Sequence, residues 1–290
     1  MKNSNLAVFR GSRVWGLLGK KTPYEDLSIN FTNSEVPYVY ISIQGFRYPM
    51  KVDLGSKLEM TLRSEFLNQI SKYPSGEECW KNFKGHKFVR CNYKIPEFQI
   101  GSIKFKNINA TEELSNERED CVIWKNPNIK KRGQKTVGSL GRALFVSMNL
   151  LIDSKRSKMI ITNDRKKLKK NGYDLEKFLK IPFTFNSKGI VLKVRTDLGV
   201  SKLLLDTGLT STVLHENLYP DYIEKCFDYR GLLSLNSNRF SIEKINFGPK
   251  ELCFINFTEK LQGVDGAIGM DFIKDHVIYV DFLQNALYIE

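Results

Sequence analysis

The stretch that decides the fold is LLLDTGLTSTVL, residues 203–214, followed downstream by GAIGMDFIKDHVIYVDF, residues 266–282. The first reads as an apolar strand ending at Asp206, a tight turn at Thr207-Gly208, and a second strand entered through small polar residues. The second reads as a small-x-Ile-Gly step, a short helix near Met270, and a strand ending at Asp281. The same grammar stands earlier in the chain. YVYISIQGFRYPMKVDLGSKLEM, residues 38–60, gives two β-runs around a turn at Gln44-Gly45, then Asp53-Leu54-Gly55-Ser56. VGSLGRALFVSMNLLIDSKRSKMII, residues 137–161, matches VDGAIGMDFIKDHVIYVDFLQNALYI, residues 264–289. Thirteen residues separate Leu140 from Asp153, and thirteen separate Ile268 from Asp281. A spacing kept twice together with the residue types marks an internal repeat.

The intervening segments, residues 96–114 and 240–261, each read as strand, turn, strand. The first half carries an insertion at about 71 to 95 with Tyr73, Gly76, Trp80 and Gly85. Short runs of Val, Ile, Phe and Tyr broken by Gly and Asn predict an all-β chain. Brief helices are expected at RSEFLNQISK (63–72), GRALFVSM (141–148), YDLEKFLK (173–180) and MDFIKDH (270–276). The expected organisation is an N-terminal extension (1–30), a first lobe (31–163), a polar, basic linker (164–180) and a second lobe (181–290). A further Asp-Leu-Gly, Asp197-Leu198-Gly199, falls between two β-runs, where a hairpin calls for these residues on backbone grounds alone.

A formal charge of +13 over 290 residues invites a nucleic-acid partner. The cations are spread along the chain, densest at DRKKLKK (164–170), with no aromatic-interleaved stripe, so a solvated basic surface is the simpler reading. The five cysteines, Cys79, Cys91, Cys121, Cys226 and Cys253, show no CxxC spacing, which argues against zinc and suits reduced thiols. No signal peptide or membrane-spanning run is visible, which favours a cytoplasm-like compartment and predicts no membrane partner. His86, His215 and His276 have no mutual spacing suited to a metal or a triad. The three sequons, at Asn30, Asn109 and Asn256, are about what chance gives.

The paired motifs resemble those of the retropepsin-like aspartic peptidases, of the pepsin and retroviral type. A lobe in that family carries hydrophobic-hydrophobic-Asp-Thr/Ser-Gly and, later, a hydrophobic-hydrophobic-Gly step. The likeness covers residues 36–162 and 181–290, and it implies two tandem β-barrel lobes related by a pseudo-twofold axis, with their Asp-x-Gly loops face to face. It further implies a catalytic dyad of Asp53 and Asp206, with Leu54, Gly55, Ser56, Thr207, Gly208 and Leu209 as active-site loop residues. The substrate would be an extended peptide or unfolded protein, with no cofactor and no metal, and one chain would suffice without dimerisation. The chemistry explains why two carboxylates are needed. One, ionised, activates a water, while the other, protonated, polarises the scissile carbonyl.

One position departs from the pattern. Leu54 stands where the family has a hydroxyl that hydrogen-bonds across the lobe interface. This opens a second reading, a catalytically silent peptide-binding or interaction protein on the same scaffold. In the first reading the hydroxyl of Ser56 is expected to hydrogen-bond Asp53 and favour its charged form, while Leu209 favours neutral Asp206. Asp153 and Asp281 are expected to be structural. Flap hairpins are expected from 71 to 90 and from FDYRGLLS (227–234), with Tyr73, Trp80 and Tyr229 as candidate groove aromatics.

Overall fold

The computed structural model describes residues 7–10, 13–17, 24–32, 35–81, 87–113, 136–228, 231–256 and 263–290. They form two ten-stranded sheets, one per lobe, and a six-stranded sheet to which both lobes contribute. The α-helices among them are single short turns or little more: Ser64–Leu67, Arg165–Lys170 and Met270–Ile273.

The repeat seen in the sequence is a repeat of topology. In the first lobe strand Phe46–Asp53 runs parallel to Gly138–Gly141, which pairs antiparallel with Met60–Arg63. In the second, Gly199–Leu205 runs parallel to Gly266–Ile268, which pairs antiparallel with Val213–His215. Each Asp-bearing strand is thus buried between neighbours, as its apolar residues require. Val52, Leu140, Leu205 and Ile268 are all at most 1 % exposed. The turn at Gln44-Gly45 has both residues at positive φ, 53° and 83°, the two-residue hairpin geometry that a Gly serves. Asp197-Leu198 forms the turn between strands Ile190–Thr196 and Gly199–Leu205, as its sequence setting predicts.

The lobes join where Leu150–Asp153 pairs antiparallel with Val277–Asp281, with Ile152 opposite Ile278. Asp153 and Asp281 end these two strands, and each is 1 % exposed. Asp153 Oδ1 accepts the Arg156 amide and Asp281 Oδ1 accepts the Gln284 amide, so both carboxylates close hairpin turns.

Three segments sit differently from the reading of the sequence. Tyr24–Ser28, placed in the N-terminal extension, pairs with Lys158–Thr162 at the sheet edge. Ala7–Arg10 likewise runs parallel to Ile103–Glu113 of the first lobe. The segment 164–180, read as a polar, basic linker, packs on the six-stranded sheet. Leu168 and Tyr173, at most 2 % exposed, join Leu151, Ile160 and Tyr279 in a second apolar cluster. Arg165 donates to buried Asp281 at 2.6 Å and to the Tyr288 hydroxyl at 2.9 Å. The helix expected at 173–180 is instead at Arg165–Lys170, where Asp164 caps it by accepting the Lys167 amide. Gly172, at φ +94°, ends it, and the chain goes on to strand Leu179–Pro182, paired with Ala286–Ile289.

The insertion forms a long hairpin, Tyr73–Lys81 with Lys87–Ile100, and Tyr73 is 63 % exposed. The second flap candidate overlaps the strand pair Cys226–Phe227 and Leu233–Ser237. Gly85, His86, Tyr229, Arg230, Cys121 and the side chain of Trp80 lie outside the described residues. His215 accepts the Asn217 amide at the head of a short 3-10 turn. His276 packs against the rings of Phe247 and Phe272, a burial that lowers its pKa. Among the described residues no helix is long and apolar enough to cross a membrane.

Candidate active site

Asp53 is the last residue of its strand, and Asp206 immediately follows the matching one. Each then turns on its own backbone. The Ser56 amide donates to the Asp53 carbonyl at 3.2 Å, and the Leu209 amide donates to the Asp206 carbonyl at 3.4 Å. Both carboxylates also take an amide from their own loop, Asp53 Oδ1 from Ser56 at 2.9 Å and Asp206 Oδ1 from Gly208 at 2.7 Å.

The two loops meet face to face. A Cβ added to Gly55 would lie 2.3 Å from Asp206 Cγ, and one added to Gly208 would lie 2.8 Å from Asp53 Cγ. Each glycine therefore leaves the space that the other lobe's carboxyl group fills, which no side chain would permit. Asp206 acts to lower the pKa of Asp53, and the charge of Asp53 acts to raise that of Asp206, which favours the proton on Asp206.

Electrostatics separates the pair. Burial raises the pKa of Asp206 most, and the charge of Asp53 adds to it, pushing it up to about 8. Burial raises Asp53 as well, and its pKa stays above the ordinary value although the Ser56 amide, the Lys51 charge, Asp206 and the Gly55 amide all act to lower it. Both residues keep partial exposure to solvent. Two like charges this close do not both ionise readily, so the pair titrates as one unit holding a single proton over a wide pH range.

A single hydroxyl clasps the loops together. Thr207 Oγ1, fully buried, accepts the Leu54 amide at 2.9 Å and donates to the Val52 carbonyl at 2.7 Å, both from the opposite lobe. Leu54 has no group to return the favour. It is 1 % exposed and packs into the main apolar core instead.

The role expected for the Ser56 hydroxyl is corrected. The Ser56 bond to Asp53 comes from the backbone amide, while Ser56 Oγ accepts the Leu58 amide at 3.3 Å. Leu209 is half-buried against a small apolar cluster that includes Val213 and Ala267. Among the described residues no group of three or more His, Cys, Asp or Glu side chains is placed to hold a metal ion.

Sequence reasoning missed Arg142, which it read only as part of a short helix. Its amide donates to the Ser56 carbonyl at 3.0 Å, as the Met270 amide donates to the Leu209 carbonyl at 2.8 Å. The two residues are therefore mirror positions, and a charge opposite a methionine was the available signal.

No protein-family model matches the sequence, and no curated protein matches it. Solved structures do match. An aspartic proteinase from Irpex lacteus aligns over 92 % of this chain and 97 % of its own, at TM-score 0.56 and 13 % identity. Basic 7S globulin from soybean aligns over 93 % and 95 %, at TM-score 0.58 and 9 % identity. Conglutin gamma, a basic 7S globulin from lupine seeds, aligns over 93 % and 95 %, at TM-score 0.60 and 12 % identity. The chain thus has the all-β, two-lobed fold of the pepsin-like aspartic proteinases. Two of these neighbours bear the name globulin, so the shared fold does not by itself decide between catalysis and binding.

Proposed function

We propose that the protein is an aspartic endopeptidase in which Asp53 and Asp206 form the catalytic dyad. The observation that carries this reading is the mutual insertion of each carboxyl group into the space left by the opposite loop's glycine. Ionised Asp53 takes a proton from a water held between the carboxylates, and that water attacks the scissile carbonyl carbon. Protonated Asp206 donates to the carbonyl oxygen as it gains charge, giving a neutral gem-diol. Collapse of the gem-diol breaks the C–N bond as the proton gained by Asp53 goes to the leaving amine and one gem-diol hydroxyl returns a proton to Asp206, leaving a carboxylic acid, an amine and the starting dyad. The elevated pKa of Asp206 keeps its proton available up to about neutral pH. The substrate class is an extended peptide or unfolded protein.

A second reading, a peptide-binding protein without turnover, is favoured by Leu54 and by the two globulin neighbours. Incubation with an unfolded protein and a peptide library between about pH 3 and pH 8 separates them. The proposal expects cleavage that Asp206→Asn abolishes. Peptide retention without products at any pH selects the binding protein.

A further inference from the structure

Arg142 is a charged side chain only 4 % exposed, placed behind the dyad where the mirror position holds Met270. Its guanidinium reaches in two directions. Nη1 donates to the carbonyl of Gly55, in the first catalytic loop, at 2.5 Å, and Nη2 donates to the carbonyl of Ser187, in the second half of the chain, at 2.8 Å. Gly189 lies against the same group, where an added Cβ would sit 3.3 Å from Cζ. A planar fork of donors can span two carbonyls in this way, and an ammonium cannot. Burying a cation is costly unless its donors are satisfied and a negative charge is close. Here two carbonyls take donors from the guanidinium, and although burial lowers the Arg142 pKa, the charges of Asp53 and Asp206 oppose that effect.

We infer that Arg142 is a positioning residue that replaces the missing half of the interlobe clasp and holds the first Asp-x-Gly loop in register. Leu54 removed the hydroxyl that would mirror Thr207, and the first lobe carries a bridge across the same interface at the next available place. The second lobe keeps its hydroxyl and has apolar Met270, 0 % exposed, at the equivalent point. Lys51, from the Asp53 strand, also acts on Asp53, so the effect of Arg142 on charge is read against an unchanged Lys51.

The charge effect rests on the peptidase reading, whereas the bridge does not, and the test keeps them apart by measuring melting and pH dependence separately. Arg142→Met is expected to lower Tm by about 5 °C or more, since two carbonyls lose their donors. It should also move the acid limb of kcat/KM to higher pH by on the order of one unit, because the dyad loses a nearby positive charge. Arg142→Lys keeps a charge but cannot span both carbonyls, so Tm should fall while the limb stays near wild type. Leu54→Thr added to Arg142→Met should restore part of the Tm and none of the limb. The inference is overturned if Arg142→Met melts with the wild type, or if the acid limb moves as far in Arg142→Lys as in Arg142→Met. Should Arg142→Met fail to fold, Arg142→Lys decides, and an unchanged melt there overturns the bridge. If the wild type cleaves nothing, the peptidase reading fails on its own. The same charge shift is then read from the carboxyl titration of the dyad by NMR.

Discussion

The two Asp-x-Gly loops are built on the same backbone and secured by different chemistry. In the second lobe Thr207 reaches across the interface with one buried hydroxyl that both accepts and donates, and apolar Met270 lies beneath. In the first lobe Leu54 reaches into the core, and a buried guanidinium lies beneath instead. The strands, the turn and the glycine are the parts that the geometry of paired carboxylates requires, and these are duplicated. The means of holding the loops together is not duplicated, because any satisfied donor across the interface serves. The same asymmetry reaches the carboxyl groups, since Asp53 has more groups around it that favour charge and Asp206 has more that favour the proton.

The largest effect should come from breaking the comparison outright. Asp53→Asn and Asp206→Asn are each expected to lower kcat by about 10⁴-fold, and the double variant should be little worse, because base and acid act as a unit. Steady-state cleavage assays check this. An Asp53→Asn protein with near wild-type turnover would mean that only the second lobe is chemical.

Next comes the clasp. Thr207→Val leaves the Leu54 amide and the Val52 carbonyl without their buried partner and should cost about 2–4 kcal/mol in denaturant unfolding. Leu54→Ala should cost a similar amount for a different reason, a cavity in the core. If Thr207→Val were neutral, the hydroxyl bridge would not be what holds the lobes in register.

A smaller effect concerns pH and stability. Asp206 titrates near 8 in the folded protein and close to the ordinary carboxylate value when unfolded. Between those values the folded state binds a proton that the unfolded state has released, so stability falls as pH rises. This contribution is fully present below the unfolded value and lost as pH climbs through about 8. Thermal melts of the wild type should therefore decline from pH 5 toward pH 8 by this component, and Asp206→Asn should flatten the decline.

How much of this the chain discloses depends on the range of each interaction. The repeat is legible because strand burial and the Asp-x-Gly turn are local, and a spacing of thirteen residues preserves them twice. Arg142 is not legible in the same way, because its acceptor at Ser187 is set by how the two lobes meet. The direction of the Ser56 hydroxyl depends on a turn that closes on Leu58, which residue type alone does not fix. Residues 164–180 misled because their apolar side chains are few and scattered among charges, yet Leu168, Tyr173, Leu175 and Phe178 are buried. Tyr24–Ser28 misled because a strand at a sheet edge needs little apolar patterning of its own.

The smallest expected change sharpens the comparison between Ser56 and Leu209. Since the Ser56 amide and not its hydroxyl bonds Asp53, Ser56→Ala should shift the acid limb of kcat/KM by less than about 0.3 pH units. Leu209→Ser, which brings a donor near Asp206, should pull the alkaline limb down from about 8. A large upward shift of the acid limb in Ser56→Ala would restore the hydroxyl to the chemistry.

The claim beneath all of these is that one carboxyl group from each lobe forms a single acid–base pair. Titration of ¹³C-carboxyl-labelled aspartate by NMR tests it without a substrate. The account predicts one step near pH 8, sensed by both Asp53 and Asp206 and abolished as a coupled step by either Asp→Asn substitution. Two independent titrations near the ordinary carboxylate value, each indifferent to loss of the other residue, would contradict it.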